Sequence, residues 1–427
     1  MTAAAPPRPR DIVYRGFRFP ADLASGTTEG LRGEAGGLLL AEPDGVPTTR
    51  PGPDDDDRRY EWGRWTAPPV PVGFAVGEVV PSWTALAPEG CWIEVELRGW
   101  HDDAPATGWY VLGRWAADDR ALRPTSVPGQ RDGAARVATD TLVVTGATVT
   151  GWQVRVTLLR PAGSTLTPVL RTVGAVASGP DTAASPDVTA GPDTAAGLDT
   201  VAGPDGASDR RDPTSATEPG RRTAHGVVLA VPRYSQRLHA GTYPQWGGGG
   251  DSWCSPTCTS MVLAYWGAAP PAERYAWVDP PGPRPLVVHA ARHCFDHAYA
   301  GAGNWPFNTA YAGLHGVDAF VTRLRSLAEA EAFIAAGIPL VVSAAFTAGE
   351  VPGLDYDTRG HLMVLVGFSP SGDPVLNDPY APDDEAVRRT VDRGRFEAVW
   401  QRGSGGVAYV IRPPGVPLPP APAQPNW

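Results

Sequence analysis

Residues 179–224 limit what this chain can fold into. Gly179-Pro180-Asp181-Thr182-Ala183-Ala184 returns as Gly191-Pro192-Asp193-Thr194-Ala195-Ala196 and in part as Gly203-Pro204-Asp205, a twelve-residue repeat without apolar bulk. Such a stretch buries no core, so it reads as a flexible linker and not as a solenoid. The 427-residue chain therefore divides into two folded bodies, 11–178 and 225–412, with a short tail at 1–10 and a Pro-rich, extended tail at 413–427. A linker of this kind is expected to hold the two bodies at raised effective concentration without fixing their geometry. The acidic run Asp54-Asp55-Asp56-Asp57 reads as a solvated loop.

Net charge is −10, so no broad attraction to nucleic acid or to anionic membrane is expected. All 36 basic residues are arginine, which excludes lysine chemistry such as a Schiff base or a phosphate-loop lysine. No apolar run reaches the length of a membrane span, and the first residues lack a signal-peptide core. Cytoplasmic residence is the default expectation, with export by a route that leaves no mark in the sequence still open. Four cysteines are too few for a disulfide scaffold. Cys254 and Cys258 share one helix face and do not bridge easily, so reduced thiols are expected.

The first body reads as strands. Cys91-Trp92-Ile93-Glu94-Val95-Glu96-Leu97 and Trp152-Gln153-Val154-Arg155-Val156-Thr157-Leu158 alternate with period two, and Gly, Pro and Asp punctuate the runs. An all-β antiparallel sandwich is expected, a binding or positioning domain whose ligand is not specified. Eight of the 15 tryptophans lie here, and packing inside the sandwich is their commonest fate.

The second body begins with helical spacing. Trp253-Cys254-Ser255-Pro256-Thr257 leads into Thr259-Ser260-Met261-Val262-Leu263-Ala264-Tyr265-Trp266, with Pro256 suited to a first turn and Gly267 a plausible stop. Helices are expected near 285–299, 306–315, 326–336 and 393–402. Strands are expected at 339–343, 361–368, 374–378 and 407–411. Helices first and strands afterwards mean α+β, a helical lobe and an antiparallel sheet lobe.

Cys254 falls where a helix N-terminus favours the thiolate. His361 opens an apolar strand and Asp378 closes the next, seventeen positions on, across the turn Ser369-Pro370-Ser371-Gly372-Asp373. In an antiparallel hairpin the start of one strand neighbours the end of the next, so Asp378 can orient the His361 imidazole, and that imidazole can take the thiol proton. Asn377 is the rival orienting residue, since neighbours on a strand face opposite sides. Gln236, with the Cys254 N–H, is the candidate donor to an oxyanion, and Gln245 is its rival. Trp246, Trp253, Trp305 and Phe307 stand between core and substrate groove, with Trp253 and Trp305 assigned to substrate binding. His289, His293 and His297 recur at helical spacing, but a zinc-peptidase arrangement is missing, so a structural helix face and no metal are expected. No cofactor is called for.

Tyr234-Ser235-Gln236, Trp253-Cys254-Ser255-Pro256-Thr257, Gly360-His361-Leu362-Met363-Val364-Leu365-Val366-Gly367-Phe368 and Asn377-Asp378-Pro379-Tyr380 together resemble bacterial papain-like peptidases of family thirty-nine of the cysteine peptidases. That family includes the leader-cleaving domains of bacteriocin exporters. Gly303-Asn304-Trp305-Pro306-Phe307-Asn308 is similar to its stand-alone members. The resemblance covers about 230–412. It implies a papain-like fold, Cys254 as nucleophile, His361 as general base and acid, Asp378 as orienting residue and Gln236 as oxyanion donor. The chain has no transporter or ATPase segment, so cleavage of bacteriocin leaders is not implied, and the glutamine-to-cysteine spacing is long for the family. The expected function is a cysteine peptidase acting on a peptide or protein. The alternatives are a non-catalytic peptide-binding protein with a peptidase-like cleft, or an acyltransferase or transpeptidase using the same cysteine.

Overall fold

The computed structural model describes residues 10–41, 50–51, 58–180 and 223–427. The tail before Arg10, the acidic run at 54–57 and the repeat from 181 to 222 lie outside the described residues.

Two antiparallel sheets form the first body. One centres on Glu78–Leu86 paired with Val169–Ser178, the other on Trp92–His101, Gly151–Pro161 and Arg59–Thr66. Alternation turns Val79, Trp83, Val173 and Ala175 of the first sheet toward Val95, Leu97, Val154 and Val156 of the second, and these side chains share one core. Trp65, Trp83, Trp115 and Trp152 are fully buried in it.

The second body carries a six-stranded antiparallel sheet in the order Asp318–Arg323, Val407–Arg412, Leu340–Phe346, Thr358–Phe368, Pro374–Asn377, Arg388–Thr390. Three helices precede it: α1 (Cys254–Tyr265), α2 (Pro285–Cys294) and α3 (Trp305–Gly313). Two more, α4 (Leu327–Ala335) and α5 (Arg393–Ser404), are interleaved with its strands. Both faces of the sheet are covered. Leu362, Val364 and Val366 pack in one cluster with α1, while Met363 and Leu365 pack in another with α4 and α5. That is why the run from His361 to Phe368 is apolar throughout rather than alternating. The strand Asp318–Arg323 was not anticipated. It pairs along its whole length with Val407–Arg412.

The two bodies are packed together, which corrects the expectation of a tether without fixed geometry. The physical reason lies in the strand Glu78–Leu86, whose second face is also apolar. Val80, with Val176 and Ile12 from neighbouring strands, joins the core of the second body. Helix α3 covers this face so closely that a Cβ on Gly313 would stand 2.7 Å from Thr84. Phe307 reaches the sandwich core, edge-on to Trp83 at 6.0 Å between ring centroids. Polar contacts surround the apolar ones. Asp140 Oδ2 accepts the Trp305 N–H (2.9 Å), Asp296 Oδ1 accepts the Ser126 N–H (2.9 Å), and Arg323 pairs with Glu78 (2.7 Å).

The C-terminal tail belongs to the same junction. Gln424 Oε1 accepts the Ile12 N–H (3.1 Å) and Pro425 O accepts the Tyr14 N–H (3.0 Å). Asn426 donates to Arg323 O and to Glu329, and Trp427 packs edge-on to Phe333 of α4. The tail thus binds the outermost strand of the sandwich, Ile12–Arg18, to the second body.

An interface of this kind does not depend on covalent continuity. When a specific protease site is inserted between residues 181 and 222 and cut, the two fragments are expected to elute together in gel filtration at micromolar concentration. Separation into two species would contradict the packing.

Candidate active site

Cys254 is the first residue of α1, after Trp253 at the N-cap. The positive end of the helix dipole therefore falls at its side chain. Pro256 sits in the first turn, where its missing N–H costs nothing. The helix is buried on nearly every side, Cys254 itself being 2% exposed.

His361 stands on the strand Thr358–Phe368, opposite Ala344. Asp378 follows the strand Pro374–Asn377, and the turn between the two strands closes with Ser369 N–H on Asp373 O (2.8 Å). The hairpin brings the two together as its geometry requires: His361 Nε2 and Asp378 Oδ1 are 2.8 Å apart. Nδ1 is then the ring nitrogen that this contact does not use. Asp378 is fully buried. Burial alone would raise its carboxyl, but the His361 hydrogen bond and charge, the Tyr380 N–H and Arg389 outweigh it and hold it below the usual carboxylate range. Asn377, the rival orienting residue, is engaged elsewhere. It donates to Pro232 O (2.9 Å) and accepts from Arg388 (3.0 Å).

Helix α1 is anchored to the histidine strand one turn beyond Cys254. The Cys258 thiol donates to the carbonyl of Leu362, the residue after His361, at 3.2 Å. Burial pushes the Cys258 and Cys294 thiols well above their ordinary value and the Cys91 thiol up to about 12. These three behave as packed apolar side chains. The four cysteines form no disulfide.

Gln236 is buried, and its backbone N–H donates to Pro379 O (2.8 Å), which ties it to the segment carrying Asp378. Its side-chain Nε2 donates to Gly250 O (2.8 Å), on the loop that leads to Cys254. One amide hydrogen remains for another acceptor. Gln245, the rival, is exposed on the short turn Pro244–Trp246.

Trp253 does not line a groove. Its indole has no solvent exposure and donates to Trp246 O at 2.7 Å, so it supports the wall from behind. Phe307 and Trp246 are also buried, whereas Trp305 is half-buried at the start of α3. Sequence reasoning missed four neighbours. Tyr409 OH contacts Ser255 Oγ (2.9 Å) beside the cysteine. Tyr356 stands edge-on to His361, Tyr380 packs against Tyr356, and Arg389 faces Asp378. Only Tyr380 had a signal, as the last residue of Asn377-Asp378-Pro379-Tyr380.

The histidine series is rearranged. Helix α2 ends at Cys294, so His297 leaves its face. His289 and His293 stack at 3.9 Å, and His315, from beyond α3, completes the cluster around Tyr311. His289 contacts the Tyr311 hydroxyl (2.9 Å) and His293 contacts the His289 carbonyl (2.7 Å). Among the described residues no group of three or more His, Cys, Asp or Glu side chains is placed to hold a metal ion. Nor is any helix among them long and apolar enough to cross a membrane.

Burial, reinforced by like charge, lowers His289 to about 2; burial foremost lowers His293 and His315 to about 4. The unfolded chain therefore binds more protons than the folded one as pH falls from about 6.5 toward 4. Asp140 works the other way. Burial raises it to about 6, so the folded state takes up that proton first. His239, which burial lowers to about 4, adds a fourth imidazole, and together they outweigh Asp140 and Glu397, the two carboxyls that burial raises. The melting midpoint is expected to fall steeply from pH 6.5 to 4, by an amount equivalent to a few kcal/mol. A His289→Gln, His293→Gln double variant should melt with a shallower pH slope in differential scanning fluorimetry.

Residues 13–178 match the family model of the Peptidase C39 N-terminal domain. Residues 228–407 match that of the Peptidase_C39 like family. A search of curated proteins finds no match.

Proposed function

Taking the chain as a peptidase C39-like protein that carries the N-terminal domain of the same group, we propose that it is a cysteine peptidase working through Cys254, His361, Asp378 and Gln236. The observation that carries this reading is the buried 2.8 Å contact of His361 with Asp378, on a strand to which the Cys254 helix is tied by the Cys258–Leu362 hydrogen bond.

In this reading His361 takes the thiol proton and the Cys254 sulfur attacks the carbonyl carbon of a peptide bond. The carbonyl oxygen becomes an oxyanion, stabilised by the Cys254 N–H and by the second amide hydrogen of Gln236. His361 then gives its proton to the leaving nitrogen, and the C–N bond breaks to leave a thioester. Water, deprotonated by His361, attacks the thioester and restores the thiol. Asp378 holds the imidazole in one tautomer throughout and stabilises its charged form. The substrate is a peptide or protein in an extended conformation. The N-terminal domain acts as part of the folded unit, through its cover over α3, and not as a module that finds substrate separately.

Two results are expected against a mixed peptide library read by mass spectrometry. Cys254→Ala loses activity by roughly 10⁴-fold or more, with melting behaviour retained. Gln236→Ala lowers kcat by about 10²–10³-fold and leaves iodoacetamide labelling of Cys254 in place. Peptide binding without turnover, unchanged by Cys254→Ser, would contradict the peptidase reading. Products carrying an added amine would point to acyl transfer.

A further inference from the structure

Asp378 has two carboxylate oxygens, and the proposed reaction uses only one. Oδ1 accepts His361 Nε2 (2.8 Å) and the Tyr380 N–H (3.0 Å). Oδ2 faces Arg389, whose Nε lies 3.4 Å away. Strand register places the arginine there. Leu376 pairs with Arg389, and Asp378 is two residues along the same face, so the two are diagonal neighbours.

Arg389 holds a second group. Its Nη1 donates to Gly353 O (2.5 Å), in the loop that joins Leu340–Phe346 to the histidine strand. Tyr356 belongs to that loop. Its ring stands edge-on to the imidazole of His361, 5.5 Å between centroids at 88°, and packs on Tyr380 at 4.6 Å. Burial foremost, and the charge of Asp378, push its hydroxyl far above the ordinary phenol range. The same arginine therefore sets its charge against the far oxygen of the aspartate and bonds the loop that covers one face of the histidine.

A fully buried carboxylate has no bulk water to satisfy its outer oxygen, and the isolated charge would be costly. A carboxylate held at one oxygen only also turns about its Cβ–Cγ bond, and each turn would release the imidazole. We propose that Arg389 is a positioning residue: its charge holds Oδ2 of Asp378, the loop it bonds seats Tyr356 against the imidazole, and Oδ1 is thereby committed to His361. The inference rests on the reading of Cys254, His361 and Asp378 as the reacting set.

The groups facing Asp378 are His361, Arg389, Tyr356 and Tyr380, with Cys254 and Cys258 at longer range. Removing a cation from this pocket raises the proton affinity of every group in it. The sign is therefore fixed: loss of Arg389 moves the acid limb of activity to higher pH. For Arg389→Gln we expect a move of about one pH unit in kcat/KM, and Arg389→Lys should recover most of it.

The pH profile of Cys254 alkylation by iodoacetamide gives the same readout without turnover. A purely structural role would lower the melting temperature and leave both profiles in place. Unmoved limbs in folded Arg389→Gln overturn the proposal. If that variant does not fold, unmoved limbs in Arg389→Met do so. Wild-type protein that alkylates with the expected shift in the variants yet hydrolyses nothing would sink the peptidase reading and leave the clamp standing. Hydrolysis with unmoved profiles would do the reverse.

Discussion

A single buried carboxylate holds the candidate site in place. Asp378 accepts from the imidazole of His361 and from the Tyr380 N–H, faces the Arg389 guanidinium, and donates its own N–H to Val387 O at 2.8 Å. The next residue, Pro379, accepts from Gln236 N–H. One position thus ties together the histidine strand, the edge strand and the segment bearing the oxyanion candidate. In a water-excluded pocket each partner matters more than it would at the surface, because an unsatisfied charge there has no solvent to fall back on. Cys254 is set by the helix it opens, and Gln236 by backbone contacts.

The second organising constraint is apolar. The strand Glu78–Leu86 has two buried faces, one toward its own sandwich and one toward α3. The domain boundary is therefore a boundary in sequence and not in packing. Phe307 belongs to the sandwich core although it comes from the second body, and Val80 belongs to the second core although it comes from the first. Asp140 and Asn304 share the first turn of α3, one from each side: Asp140 accepts the Trp305 N–H and Asn304 accepts the Phe307 N–H. A helix capped half by another domain is positioned by that domain.

The parts legible in the sequence are those written in local patterns. Alternation identified the sandwich. Helical spacing after Pro256 marks α1, and hairpin geometry alone makes the His361 and Asp378 side chains neighbours. The parts that were not legible depend on partners distant in the chain. Whether Trp253 faces a groove or a core is decided by Trp246 and the turn beneath it. Whether His297 continues a helix is decided by the chain reversing after Cys294. Arg389 and Tyr356 have no motif of their own, because a positioning role is defined by what they touch. The docking of the two bodies was invisible for the same reason. Val80 reads as one more sandwich residue until something is seen to cover it.

The contact between Gln424 and Pro425 and the strand Ile12–Arg18 spans some 410 positions of chain. That strand pairs with a single neighbour in its sheet, and Gln424 and Pro425 take up the Ile12 and Tyr14 N–H groups of its outer rim. Closing so wide a loop adds little to its entropic cost compared with a loop half as long, but it delays the event in time. Until then the molecule presents an adhesive border to any other extended segment it meets.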